Sequence, residues 1–324
     1  MMPNYCGIYA GLIEQYIDFK RNLGYKFVDA TYTLSLFDRF TIDNAVLKLG
    51  LSKEIVDKWS EKRPNESDKT RYARIHYIAK FSAYLNDMGY PSHIPRLPKK
   101  YSSTFVPHIF SKKEVNAFFD ACDTLKVNRR FETTVYVLPA LFRMLYGCGI
   151  RISEALSLTC KDVDLDAKNI IVRETKNGKD RILPLSETLT EVCIQYRNVR
   201  PGKYEPKGYF FIKNNGQKCN AKAIYEWFRK ILWNAGIPHG GKGFGPRMHD
   251  FRHTFSVHSL VKMSEAGLDL YYSLPILSKY LGHQSLEATD KYVRLTSDMY
   301  PDLIREVDNV CAYVFPEVDH YEAD

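Results

Sequence analysis

The chain has 324 residues, room for more than one domain, and 45% hydrophobic and 26% charged residues, the balance of a globular protein. No apolar run approaches the roughly 18 residues of a membrane span, and the first residues lack a signal-peptide core, so the expectation is a cytoplasmic protein with no membrane partner. Seven scattered cysteines without a C-x-x-C pair argue against a disulfide framework or a structural zinc site, and the net charge of +8 favours a polyanionic partner without proving one.

Residues 1–90 read as a helical unit. Ile13, Tyr16, Ile17 and Leu23 recur at helical spacing, as do Leu34, Leu36, Phe37 and Phe40. A third helix is predicted over Lys53 to Ser60, stopping before Arg63-Pro64. A fourth is predicted from about Ser67, as N-cap, to Met88, with Ile75, Ile78, Ala79, Tyr84 and Leu85 inward. Its Lys69, Arg71, Arg74 and Lys80 read either as a solvated face or as phosphate contacts, and both readings stay open. Residues 91–107, with Pro91, Pro95, Pro98, Pro107 and the pair Lys99-Lys100, read as a linker, either a tether or a basic segment lying on a nucleic-acid groove.

The second unit, 108–315, opens with a capped helix from Ser111 to Cys122. An apolar helix follows from about Thr133 to Tyr146, kinked at Pro139 and ended by Gly147-Cys148-Gly149. A helix over Arg151 to Leu158 precedes two strands, Asn169 to Glu174 and Arg181 to Leu185, joined through Asn177-Gly178, a hairpin signal. Helices are predicted at Ala221 to Asn234, Arg252 to Lys262 and Leu274 to Leu281, with a glycine-rich loop, 240–245, before His249. After Tyr292, residues Leu303, Ile304, Val307, Val310, Cys311 and Val314 form an apolar stripe, and 316–324 are an acidic tail. The fold class expected is mainly α with a small antiparallel β-sheet in the second domain.

Metal-free cleavage of a phosphodiester needs fixed donors aimed at the non-bridging oxygens, and arginine's planar fork suits that best. Arg151 and Arg252 stand at helix beginnings, where the dipole adds positive potential. Either alone reads as a surface residue. Glu154, one turn after Arg151, can orient its guanidinium, or merely pair with it on the helix surface. His249 and His283 supply further donors, whereas His253 and His258 are expected to be structural. Lys176, on the hairpin flank, can protonate a leaving oxygen, with Lys179 its nearest rival. Tyr292 is one of 23 tyrosines and is singled out by its nine-residue offset from His283.

The stretches Gly-Cys-Gly-Ile-Arg-Ile-Ser-Glu-Ala-Leu at 147–156, Thr-Lys-Asn-Gly-Lys-Asp-Arg-Ile-Leu-Pro-Leu at 175–185, His-Asp-Phe-Arg-His-Thr-Phe at 249–255 and the Leu-Gly-His to Tyr stretch at 281–292 together resemble the tyrosine recombinase (phage integrase) family. The resemblance spans roughly 107–310 and, more loosely, 5–90, which looks like that family's helical core-binding domain. It implies a two-domain architecture and a site-specific DNA recombinase for integration, excision or transposition. It implies that Arg151, Lys176, His249, Arg252 and His283 activate the scissile phosphate, and that Tyr292 attacks it to form a 3′-phosphotyrosyl link. It also implies no metal or other cofactor, double-stranded DNA with inverted-repeat core sites as partner, and a homotetramer on DNA. Phe251 stands where leucine is more usual, a swap a core absorbs. The alternatives are a type IB topoisomerase-like swivelase and a catalytically silent DNA-binding protein.

Overall fold

The computed structural model describes residues 4–101, 106–125, 134–173, 180–241 and 244–283, and beyond them Ser285, Thr289, Lys291, Tyr292, Leu295 and Thr296. Lys176, Lys179, Tyr300 and the stretch from 302 to the C-terminus, including the apolar stripe and the acidic tail, lie outside the described residues. The chain divides into two compact units, Met1–Phe105 and Val106–Asp324. Among the described residues no helix is long and apolar enough to cross a membrane.

The first unit is four helices, α1 Ala10–Asn22, α2 Val28–Asp43, α3 Lys53–Ser60 and α4 Asp68–Asp87. Ser52 and Ser67 cap α3 and α4 by accepting the N–H of Ile55 and Thr70, which satisfies donors that a helix start leaves open. Tyr9, Ile13, Tyr16, Leu34, Phe37, Trp59, Ile78, Phe81 and Leu85 form one buried core, with Phe37 meeting Trp59 edge-on at 5.0 Å. Leu23, just past the end of α1, is exposed rather than inward.

Arg74 corrects the expectation of a phosphate-facing residue. It is 4% exposed. Its Nε and Nη2 donate to both carboxylate oxygens of Glu66 at 2.8 Å, its Nη2 also reaches the Glu61 carbonyl at 2.9 Å, and Nη1 donates to the carbonyl of Trp59. Four of the five N–H donors of the fork are taken by the end of α3 and the loop that follows it, so its work is to close that corner. Lys69, Lys80, Lys99 and Lys100 are exposed, whereas Arg71 is half-buried and donates from Nε to the Ser60 carbonyl.

The second unit begins with α5 Lys112–Asp123, closed by a capping box between Ser111 and Glu114. A 3-10 turn, Val135–Val137, leads into α6 Leu138–Cys148. Pro139 therefore sits in the first turn of α6 and does not kink a longer helix. There its missing N–H has no helical partner to lose. The helix beginning at Arg151 is short, α7 Ile152–Ala155. The three-stranded antiparallel sheet runs β1 Val163–Asp164, β2 Asn169–Val172 and β3 Arg181–Pro184 in that order, with Ile170 opposite Leu183 and Val172 opposite Arg181. β1 and the helix α8 Glu187–Val199 are elements that the sequence reading did not name. Then come α9 Ala221–Asn234, α10 Asp250–Glu265 and α11 Leu270–Leu281, the last with Pro275 inside it. The fold is thus mainly helical with a small antiparallel sheet.

Phe251 is fully buried among Phe110, Phe118, Phe142 and Phe228, with ring centroids 5.0 to 6.0 Å away. This apolar anchor fixes the rotation of α10, and that rotation decides where the neighbouring residues Arg252 and His253 point.

Candidate active site

Three helix ends converge here. α6 stops because Gly149 adopts a left-handed conformation (φ +58°), where an added Cβ would collide with the Phe255 ring. α11 stops at Gly282 (φ +67°), whose N–H bonds the Lys279 carbonyl while the His283 N–H bonds the Ser278 carbonyl, a Schellman ending. The Leu-Gly-His signal is thus a helix stop that throws His283 sideways. Arg252, 2% exposed on the first turn of α10, bridges both ends: Nη1 donates to the Gly149 carbonyl and Nη2 to the Leu281 carbonyl, each at 2.7 Å. The partial negative charge of two helix C-termini thereby steadies a buried cation.

Nη2 of Arg252 also lies 3.1 Å from Nε2 of His283. A guanidinium only donates, so Nε2 accepts and the imidazole hydrogen sits on Nδ1, which faces Oγ1 of Thr289 at 2.8 Å. Burial, then Arg252 and Arg151, push His283 down to about 4, consistent with a neutral ring. His249, the residue before α10, keeps part of its ring open to solvent, yet the surrounding protein and then Arg252 and Arg151 lower it to about 4 as well.

Arg151 caps α7. Glu154 accepts from the Arg151 backbone N–H at 3.0 Å and from its Nη1 at 2.8 Å, so the orienting contact expected from the sequence is present. Glu154 is held from the other side by Nη2 of Arg181 at 2.7 Å. Burial opposes its ionisation, but hydrogen bonds from Arg181 and the Arg151 backbone more than offset this and hold it below the usual carboxylate range. Arg181 also lies against Gly282, where a Cβ would come 3.1 Å from its Nη1, so β3 supports both the Glu154 side and the His283 corner.

Tyr292 is 1% exposed. Burial raises its hydroxyl above its ordinary value, while Arg252, Ser256 and Arg151 pull it back. Its ring lies 6.2 Å from that of His283, nearly parallel, and Nζ of Lys291 sits 5.0 Å over its face. His253, expected to be structural, places its Nδ1 3.0 Å from the Tyr292 hydroxyl. His258 keeps the structural role, bonded through Nδ1 to the Tyr146 hydroxyl at 3.0 Å.

Five of the six expected catalytic residues, Arg151, His249, Arg252, His283 and Tyr292, thus come together with Glu154. Lys176 lies outside the described residues. The sequence reading missed Arg181, Thr289 and His253. Arg181 was visible as the charged first residue of a strand, His253 as the immediate neighbour of Arg252, and Thr289 only as a polar residue inside the last motif.

Among the described residues, the one carboxylate touching this group of cations is Glu154. Burial and then Arg151 lower the Arg252 guanidinium to about 10, with Tyr292 and Glu154 opposing the shift. The cluster is built to receive negative charge beside a tyrosine hydroxyl.

A helical unit followed by an α+β unit with arginines, histidines and a buried tyrosine at helix ends defines a class, and similarity to known proteins specifies it. The phage integrase family model matches residues 108–299. The chain belongs to that family, the tyrosine recombinases. An integrase/recombinase of Sinorhizobium fredii is 27% identical, covering 91% of this chain and 96% of that protein. Tyrosine recombinase XerD of Listeria innocua is 25% identical over 93% of each. Among solved structures, the Tn1549 transposon integrase in complex with circular intermediate DNA superposes with a TM-score of 0.59 at 19% identity, covering 86% of this chain and 94% of that one, a likeness of fold.

Proposed function

We propose that this chain is a site-specific DNA recombinase that cuts and rejoins DNA strands through a 3′-phosphotyrosyl intermediate. The observation that carries the reading is the carboxylate-poor cluster of Arg151, Arg252, His249 and His283 around the Tyr292 hydroxyl. In the proposed step, Tyr292 Oη gives up its proton to the neutral imidazole of His249 as it forms a bond to phosphorus, the bond from phosphorus to the 5′ oxygen breaks, and that oxygen takes a proton from Lys176. Arg151 and Arg252 hold the non-bridging oxygens as charge builds on them. His283 steadies Arg252, and both imidazoles gain proton affinity when a phosphate arrives beside them. The phosphotyrosyl bond conserves the phosphodiester's energy, so a 5′-hydroxyl from a second strand reverses the step.

Double-stranded DNA with inverted-repeat core sites is the proposed partner, with two protomers per site and four per synapse. The XerD relative and the transposon integrase support the reading by family and fold. Tyr292→Phe should bind a nicked suicide duplex but form no covalent adduct. An adduct with that variant would move the nucleophile elsewhere, with Tyr300 next in line. Strand exchange between two duplexes separates a recombinase from a swivelase, which would relax supercoils without joining two sites.

A further inference from the structure

α10 presents its residues to the site in a fixed order. Arg252 turns toward the ends of α6 and α11, and His253, about a quarter-turn further round the helix, meets Tyr292. Its ring, 4% exposed, is wedged between the edge of His249 at 4.8 Å and the tilted ring of Tyr292 at 5.5 Å. His249 and His253 are four residues apart, the spacing that puts side chains on one helix face. The imidazole is therefore rigidly held, and what it holds in turn is the phenolic oxygen.

We propose that His253 is the positioning residue for the tyrosine nucleophile: its Nδ1 accepts the hydrogen of Tyr292 Oη, which fixes the hydroxyl rotor and leaves the oxygen lone pairs for phosphorus. This rests on the reading of Tyr292 as the nucleophile. A neutral imidazole offers one lone pair, and a donor hydroxyl fills it. Burial, His249 and the surrounding cations lower His253 to about 3, so the ring resists protonation and the proton stays on the tyrosine oxygen until the phosphate is engaged. His253 thus orients the attacking atom without holding its proton. Ser256, one turn further along α10 and fully buried, completes the wall behind the tyrosine.

Asparagine places a polar atom near the position of Nδ1, whereas glutamine reaches toward that of Nε2. The probe is a nicked suicide duplex carrying a half-site recovered by the wild-type protein from a random-sequence duplex pool. At saturating duplex, adduct formation should slow about 10- to 100-fold in His253→Phe and His253→Gln, the loss expected when a reacting group is misplaced, and His253→Asn should restore most of it. Duplex affinity should not change in any of the three. Independently of those variants folding, the Nδ1 resonance of His253 in imidazole 15N spectra should shift in Tyr292→Phe. The proposal is overturned by a wild-type or faster rate in His253→Phe, by His253→Asn performing no better than His253→Gln at equal thermal stability, or by an unmoved Nδ1 resonance. An adduct with Tyr292→Phe, or none with the wild-type chain, would instead sink the reading of Tyr292 and leave the hydrogen bond itself to the spectra.

Discussion

Arg74 in the helical unit and Arg252 in the α+β unit are both buried, at 4% and 2% exposure, and are held in opposite ways. Arg74 meets the full charge of Glu66 through two parallel bonds and gives two more donors to carbonyls of its own corner. Arg252 meets two helix-end carbonyls and an imidazole, and its nearest charged neighbours include a second arginine. Evolution tolerates a buried cation in either setting, but only the second leaves an electrostatic demand that a ligand can satisfy. A compensated arginine closes a fold, and an undercompensated one waits for an anion.

The comparison breaks first on stability. Arg74→Met leaves the Glu66 carboxylate buried and unpaired, and should cost about 3–5 kcal/mol of the first unit's stability in urea unfolding, the penalty for breaking a buried pair. Arg252→Met removes a desolvated cation that repels Arg151, so its cost should be smaller, limited to the orphaned carbonyls of Gly149 and Leu281 and the Nε2 of His283. Equal losses in the two variants would show that Arg252 is as structural as Arg74.

Activity inverts the order. Arg252→Met or Arg252→Ala should slow adduct formation by about 10²–10³-fold, the effect of losing one transition-state donor, and Arg252→Lys should rescue poorly because it lacks the fork. Arg74→Met, at a temperature where it is folded, should keep the wild-type cleavage rate at saturating DNA. Intact cleavage with weakened binding in Arg252→Met would reassign that arginine to backbone positioning.

The contrast between these arginines also marks what the sequence could tell. Arg252 was legible because it sits inside a motif, three residues after His249, with Gly149 and Gly282 announcing the helix ends it grips. Arg74 was misread because its partner, Glu66, precedes the N-cap of α4 and is joined to it only by tertiary folding, which helical periodicity does not report. The same limit hid α8, whose buried face of Leu189, Cys193 and Tyr196 is interrupted by threonines, and misplaced Pro139, which a continuous apolar pattern puts mid-helix and the 3-10 turn at Val135–Val137 puts at the start. The His253 contact is hidden for a related reason: adjacency to Arg252 is visible in the sequence, but contact with a residue 39 positions later is not.

pH should separate the two regions by window. His249 and His283, lowered to about 4, stay neutral in the folded chain while their unfolded counterparts titrate near 6.5. Between those values the unfolded state binds more protons, so the second unit should lose stability as pH falls from about 6.5 toward 4. Glu66 has the reverse origin. Its carboxyl is held below the ordinary value by its bonds to Arg74, so its contribution is present above the unfolded carboxylate pKa and is lost only as pH falls through the lower folded one. In a Trp227→Phe, Trp233→Phe background, Trp59 reports the first unit alone and should hold its buried emission to lower pH than the second unit's hydrogen exchange holds its protection. Simultaneous loss in both would erase the distinction. Phosphate binding should raise both imidazole pKa values, so DNA affinity should rise modestly between pH 7 and pH 5.5.

The smallest effect belongs to the exposed lysines. Lys69, Lys80, Lys99 and Lys100 have solvent around them where Arg74 has a carboxylate. If these lysines neutralise phosphates, each Lys→Ala change should make the plot of log affinity against log salt shallower by about 0.9, uniformly across DNA sequences, because one fewer counterion is released on binding. Thermal stability should be untouched, since an exposed lysine contributes little to folding. Arg71 is the intermediate case: its guanidinium bonds the Ser60 carbonyl while staying half-buried, so Arg71→Ala should lower both the salt slope and the melting temperature slightly. A lysine whose removal leaves the slope unchanged faces water alone. Four such results would leave Arg71 and the second unit to carry the phosphate contact, the latter through Arg252, which has no carboxylate among its hydrogen-bond partners.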